Sequence, residues 1–228
     1  MHLHVRGADG SPTQDVGLFA RTIGLIAKRC NIIIQVSTGG AVGMSRDERV
    51  GPVSLRPEMA TLTTGTVNFG DDVFLNRPAD IEYFAATMQK YGVKPEIEVF
   101  DSGMIDAALR LIRKGLVTPP LHFDFVLGVP GGMAGTPKNL LHLVDAIPER
   151  STWSVAGIGK AELPLGVLAI ILGGHVRVGF EDNVFFSPRV LAVSNAQLVA
   201  RMAGISRELG REVASPDEAR RILGLCPR

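Results

Sequence analysis

Seven short runs of apolar and β-branched residues recur along this 228-residue chain, each separated from the next by a stretch long enough to hold a helix. That alternation leaves few folds open, because parallel strands need long crossovers and a parallel sheet must be covered on both faces. The runs are His2 to Val5, Asn31 to Val36, Met59 to Thr64, Glu96 to Phe100, His122 to Leu127, Thr152 to Ala156 and His175 to Val178. Between them Val16, Phe19, Ile23 and Ile26 repeat at helical spacing, and Ile81, Phe84 and Met88 do the same before Gly92. Ser102 is expected to cap a helix carrying Ile105, Leu109 and Ile112 with Gly115 beyond its end, and Thr136-Pro137 offers a cap followed by proline at the first helical position. A long helix from Arg189 to Leu209 and a short one from Pro216 to Leu223 are expected to close the chain.

Seven βα units lie one short of the eight that close a barrel. The expected architecture is therefore an α/β fold of the TIM (β/α)8 type, a single domain over residues 1–228 that lacks its first βα unit. With 46% hydrophobic residues the chain can bury a substantial core. Its formal net charge of +1, with both signs well mixed, argues against a nucleic-acid partner and for a small ligand. Cys30 and Cys226 are the only cysteines and lie almost a chain length apart, which suits a reducing, cytoplasmic compartment. No apolar run reaches membrane-spanning length, and the N-terminus lacks the pattern of a signal peptide.

In a barrel of this kind chemistry gathers where strands end and βα loops begin, and several motifs fall there. His2-Leu3-His4 projects two imidazoles from one face of a strand, a pattern that suits a zinc-type cation but also occurs as ordinary surface histidine. Arg177, Glu181 and Asp182 crowd the end of the last strand; the three could neutralise one another, or Glu181 could join the histidines as a third metal ligand with Asp182 as a base beside it. Ser37-Thr38-Gly39-Gly40 directly follows a strand, where backbone N–H groups could approach a carboxylate, or where the glycines simply turn the chain. Thr61 and Thr63 share one strand face and need polar partners if they point inward. Glu98 lies near its strand's end, whereas Glu96 reads as a surface residue at the strand start. His122 and His175 begin their strands and His142 lies on a helix, so none of the three suits a fourth ligand. Gly128 to Gly135 reads as a flexible loop able to admit or cover a substrate, and with Trp153 to Lys160 it is where specificity is expected.

Six segments in order, HLHVR, QVSTGG, RPEMATLTTGTVNFG, KPEIEVFDSGM, FVLGVPGGMAGT and HVRVGFEDN, resemble the β-keto acid cleavage enzyme family, from Met1 to the C-terminal helices. The resemblance implies a zinc-containing barrel, usually a homotetramer, that converts a β-keto acid and acetyl-CoA into acetoacetate and a new CoA thioester. Carried over by motif, His2, His4 and Glu181 are the metal ligands and Asp182 the base, with Arg177 and Glu98 setting its charge state and orientation. Ser37 and the residues after it, Thr38, Gly39 and Gly40, with Thr61 rather than Thr63, correspond to the group that holds the substrate carboxylate. The family also carries an earlier strand and helix, with an active-site glutamate, that this sequence does not contain. Two other readings stay open: a metal-dependent hydrolase of the amidohydrolase type, and a truncated, non-catalytic barrel.

Overall fold

The computed structural model describes residues 1–225, so Cys226 lies outside the described residues and Cys30 is exposed. Seven parallel strands form one sheet in chain order: β1 (His2–Leu3), β2 (Gln35–Val36), β3 (Met59–Thr63), β4 (Lys94–Val99), β5 (His122–Leu127), β6 (Thr152–Gly157) and β7 (His175–Arg177). Eight helices accompany them: α1 (Val16–Ala27), α2 (Arg46–Val50), α3 (Pro78–Tyr91), α4 (Ser102–Arg113), α5 (Pro137–Ala146), α6 (Glu162–Ile171), α7 (Asn195–Glu208) and α8 (Pro216–Leu223). The sheet is curled. Gln35 on β2 bonds Glu96 on β4 past β3, and Arg177 on β7 comes within 3.6 Å of Glu98 on β4 past two intervening strands. Such reaches are possible only across a concave face, and the curl brings the two edge strands close enough for His4 to meet Glu181.

Alternation along each strand divides apolar from polar residues. Leu62, Ile97, Phe123, Phe125, Leu127 and Val155 are fully buried against helices that contribute Phe19, Phe84, Leu140, Leu143 and Leu165. Burial of each such side chain stabilises by about 1.5–3 kcal/mol, so the convex side carries the hydrophobic drive for the curl. Thr61, Thr63, Glu96, Glu98, Asp124 and Ser154 occupy the alternating positions and are buried too. The interior is therefore a polar layer rather than the branched aliphatic layers usual in such barrels.

Several boundaries differ from expectation for local reasons. Asp101, not Ser102, caps α4, its carboxylate accepting from Gly103 N at 3.0 Å. The helix expected from Arg189 starts at Asn195 behind a Ser194 cap, because Phe185–Ser187 and Val190–Leu191 form a hairpin with Arg189 in a left-handed conformation. The first predicted strand breaks at His4, and Val5–Arg6 turns away to pair antiparallel with Pro12–Thr13. The predicted strand at Asn31 pairs only at Gln35–Val36. Helix α6 is not legible as an amphipathic period, since Leu163, Leu165, Val167, Leu168, Ile170 and Ile171 surround it and Pro164 sits in its first turn.

The loop from Gly128 to Gly135, expected to be flexible, is pinned. Met133 N donates to Phe100 O at 2.9 Å, Gly70 N donates to Pro130 O at 3.3 Å, and Gly131 (φ +101°) lies against Asn68 in the hairpin Val67–Phe69/Asp72–Phe74. A Cβ on Gly131 would stand 2.1 Å from the Asn68 carbonyl oxygen, so two loops at the strands' C-terminal ends interlock through a missing side chain. Gly131→Ala is expected to cost about 1–3 kcal/mol, read as a lower urea midpoint with an unchanged slope. An unchanged midpoint would show that the loops are not coupled.

Candidate active site

The break in the chain after Leu3 places His4 just past the ladder while His2 stays in it, and the two Nε2 atoms face each other at 3.0 Å. Glu181, four residues past Arg177, meets them from the opposite sheet edge: Oε1 lies 3.2 Å from His4 Nε2 and Oε2 lies 3.6 Å from His2 Nε2. A tetrahedral ion with bonds of about 2.0–2.1 Å holds its ligand atoms about 3.3 Å apart. The contacts among His2, His4 and Glu181, 3.0, 3.2 and 3.6 Å with the last two made by different glutamate oxygens, lie near that spacing. One donor atom from each residue lies within 4.8 Å of the others, and two imidazoles with one carboxylate are a zinc-type donor set that leaves a coordination position open. Burial first, then the positive charge of Arg177, lowers His2 to about 3, so at neutral pH its ring is unprotonated, as a ligand must be. Burial pushes Glu181 up, but the His4 hydrogen bond and the Arg177 charge outweigh it and hold the carboxylate well below its usual range.

Arg177 organises the next layer. Its Nε and Nη2 face Asp182 at 3.0 and 3.1 Å, Nη2 also donates to Glu181 at 2.8 Å, and Nη1 lies 3.4 Å from Asp124 and 3.6 Å from Glu98. One guanidinium thus answers four carboxylates. Burial raises Asp182 and Glu98 from their ordinary values while the Arg177 charge pulls both back. Asp124 is pushed up to about 8 by burial and by the charge of Glu96, against the opposing effects of Arg177 and Ser154.

Two members of this polar interior lie outside the expected site. Asp124 interrupts the apolar run of β5, and a lone carboxylate flanked by Phe123 and Phe125 is the sequence signal that marks it. Glu96, expected on the surface, is buried on the concave face, where it bonds Gln35 and sits 3.3 Å from His122 Nε2. His122 in turn meets Thr152 Oγ1 at 2.9 Å, so this pair is satisfied apart from the His2–His4–Glu181 triangle.

The second expected cluster lies on the neighbouring strand ends. Ser37 N donates to Leu3 O at 3.2 Å, which sets the loop after β2 beside the histidine strand. Within it Thr38 N donates to Thr61 Oγ1 at 3.0 Å, Thr38 Oγ1 donates to Thr61 O at 2.7 Å, and Gly39 N donates to Ser37 Oγ at 3.0 Å. Two amides that could meet an anion are therefore already engaged, and Gly40 adopts the left-handed conformation that turns the loop. Buried Arg49 fixes it from behind by donating to Thr38 O, Leu75 O and Asn76 Oδ1 at 2.7–2.8 Å; no sequence signal marks Arg49. Thr63, the alternative to Thr61, instead donates to Glu98 Oε2 at 2.5 Å.

Comparison with known proteins adds independent findings. A family model described as beta-keto acid cleavage enzyme matches residues 1–225. The chain is 53% identical over 227 residues to the 3-keto-5-aminohexanoate cleavage enzyme of Fusobacterium nucleatum, covering 99% of this chain and 83% of that one. It is 51% identical over the same length to the enzyme of that name from Acetoanaerobium sticklandii, again covering 99% and 83%. It is 43% identical to a 3-oxoadipate:acetyl-CoA acetyltransferase of Cupriavidus necator, covering 99% and 80%. Among solved structures, apo ObcA superposes with a TM-score of 0.78 at 19% identity, over 98% of this chain and 61% of that one, a likeness of fold.

Proposed function

The chain belongs to the β-keto acid cleavage enzyme family, and we propose that it moves a carboxymethyl unit from a β-keto acid to acetyl-CoA, releasing acetoacetate and a new acyl-CoA. The balance is R–CO–CH2–COO⁻ plus CH3–CO–SCoA giving R–CO–SCoA plus CH3–CO–CH2–COO⁻. The observation that carries this reading is the contact of two groups: the His2–His4–Glu181 triangle and the Arg177–Asp182 pair meet through Glu181, which Arg177 also holds. A divalent ion of the zinc type, held by those three ligands, would supply Lewis acidity to the keto carbonyl.

The remaining steps belong to side chains. Asp182 takes the acidic proton from the carbon between keto and carboxylate groups, a task for which a carboxylate made more basic by burial is suited. Arg177 holds Asp182 on two nitrogens and so fixes its direction. The carbanion attacks the thioester, and the CoA thiolate leaves and then attacks the original keto carbon. The C–C bond breaks to give the acyl-CoA and the acetoacetate carbanion, and Asp182 returns its proton to that carbanion to release acetoacetate. The loop Ser37–Gly40 with Thr61 is assigned to the substrate carboxylate from the family motif; with Thr38 N and Gly39 N engaged inside the loop, the Ser37 and Thr61 hydroxyls that accept those bonds are the groups that would donate to it. The homotetramer is proposed from the family resemblance and the cytoplasmic location from the cysteine usage; no helix among the described residues is long and apolar enough to cross a membrane.

The first substrate to test is 3-keto-5-aminohexanoate, since two relatives above half identity carry that name. Zinc-loaded protein with this acid and acetyl-CoA is expected to form acetoacetate and an acyl-CoA in equal amounts, followed by chromatography of both products. CoA-independent hydrolysis of esters or amides, with no acetoacetate from any β-keto acid, would overturn the reading. No observation favours the hydrolase: His122, the imidazole on a middle strand, is occupied by Glu96 and Thr152.

A further inference from the structure

Asp124 has no role in the chemistry above, yet it is fully buried behind the guanidinium that holds the base. Its Oδ1 lies 2.6 Å from Ser154 Oγ, which also stands 3.4 Å from the Phe123 carbonyl oxygen. A serine hydroxyl has one proton, and shared between an oxygen at 2.6 Å and another at 3.4 Å it serves one of them poorly. A proton on Asp124 Oδ1 resolves the shortage: the acid donates to Ser154, Ser154 donates to Phe123 O, and Asp124 Oδ2 remains an acceptor for Arg177 Nη1. The surroundings ask for the same state. Glu96 and Glu98 from β4 add negative charge, Ser154 from β6 is neutral, and the better-placed edge of Arg177 is already taken by Asp182. An ionised carboxylate buried with its one cation 3.4 Å away is poorly compensated.

We propose that Asp124 is a positioning residue held as the neutral acid, which with Ser154 anchors Arg177 Nη1 and so keeps the Nε–Nη2 edge of the guanidinium on Asp182. Its consequence for turnover rests on the acyl-transfer reading; its state does not. Asparagine reproduces a neutral acid at this position, because its amide NH2 can donate to Ser154 while its carbonyl accepts from Arg177. Alanine reproduces neither bond and leaves Nη1 with Glu98 alone at 3.6 Å.

Infrared spectra of the substrate-free protein near pH 7 are expected to show a carboxylic-acid carbonyl band that Asp124→Asn removes. In steady-state acyl transfer, Asp124→Asn is expected to stay within about threefold of the parent kcat, whereas Asp124→Ala loses about tenfold or more with KM within about twofold. Ser154→Ala, a smaller deletion that keeps the proposal testable if Asp124→Ala does not fold, is expected to lower kcat in the same sense. Absence of the acid band overturns the proposal, as does a fall in Asp124→Asn equal to that in Asp124→Ala, or an unchanged kcat in Ser154→Ala. Parent protein without acyl-transfer activity would instead strike at the proposed reaction, and the infrared result would still decide the state of Asp124.

Discussion

Asp182→Asn is expected to lower kcat for acyl transfer by about a thousandfold while the protein still folds and still binds zinc. General-base catalysis contributes about 10²–10⁴ to rate, and the amide keeps the carboxylate's shape but cannot take a proton. The introduced amide retains one oxygen for Arg177, and the ligand triangle, built on His2, His4 and Glu181, does not include the substituted side chain. The pH dependence separates a base from a structural anion. Burial raises Asp182 above its ordinary value of 3.8, with Arg177 opposing, and the base works only when ionised. Activity of the parent should therefore be full above that raised pKa and fall as pH drops through it, on a limb displaced upward from the ordinary aspartate value. The limb should vanish from the residual activity of Asp182→Asn. Substantial kcat in the variant, with the same acid limb, would place the base elsewhere.

The parts of this arrangement that can be read in advance are those encoded locally. His2 and His4 are two apart, and Arg177, Glu181 and Asp182 fall within six residues, so short-range geometry already groups each set. What joins the two sets is the curl of the sheet, which brings β1 and β7 together, and it can be inferred only from the count and order of the strands. Glu96 and Asp124 are harder because their partners come from distant segments. Glu96 reads as a surface residue until the fold sets Gln35, 61 residues away, and His122 beside it. Ser154 and Arg177, 30 and 53 residues along, play the same part for Asp124. A charge inside an apolar strand is a visible sign of an internal polar network, but the sign does not say which residues complete it. Helix α6 is hidden for the opposite reason: a helix apolar nearly all round carries no period to read, and its burial against β6 and α7 becomes apparent only in the fold.

Removing one imidazole from the triangle should separate metal binding from folding, and His4→Ala is the better choice of the two histidines. The His4 side chain is 39% exposed, whereas that of His2 is 10% exposed and its loss would leave a hole beside the core. Zinc affinity is expected to fall by more than about a hundredfold, the upper range for removing even a group that merely supports a ligand, and acyl-transfer activity should fall with it. Linkage supplies a readout that needs no substrate. An ion bound only by the folded state stabilises it by about 2.7 kcal/mol at a hundred times its dissociation constant, so zinc should raise the parent's melting temperature and leave that of His4→Ala nearly unchanged. The effect should persist at neutral pH without competition from protons at His2, because burial and the Arg177 charge hold that imidazole neutral down to about pH 3. In the unfolded chain the same ring titrates near its ordinary value of 6.5, so the unfolded state binds the extra proton between these values. The stability contributed by neutral His2 is therefore present above pH 6.5 and declines as pH falls from there toward about 3. Stoichiometric zinc retained by His4→Ala, with an undiminished thermal shift, would move the metal away from the β1 histidines and remove the basis for the proposed chemistry.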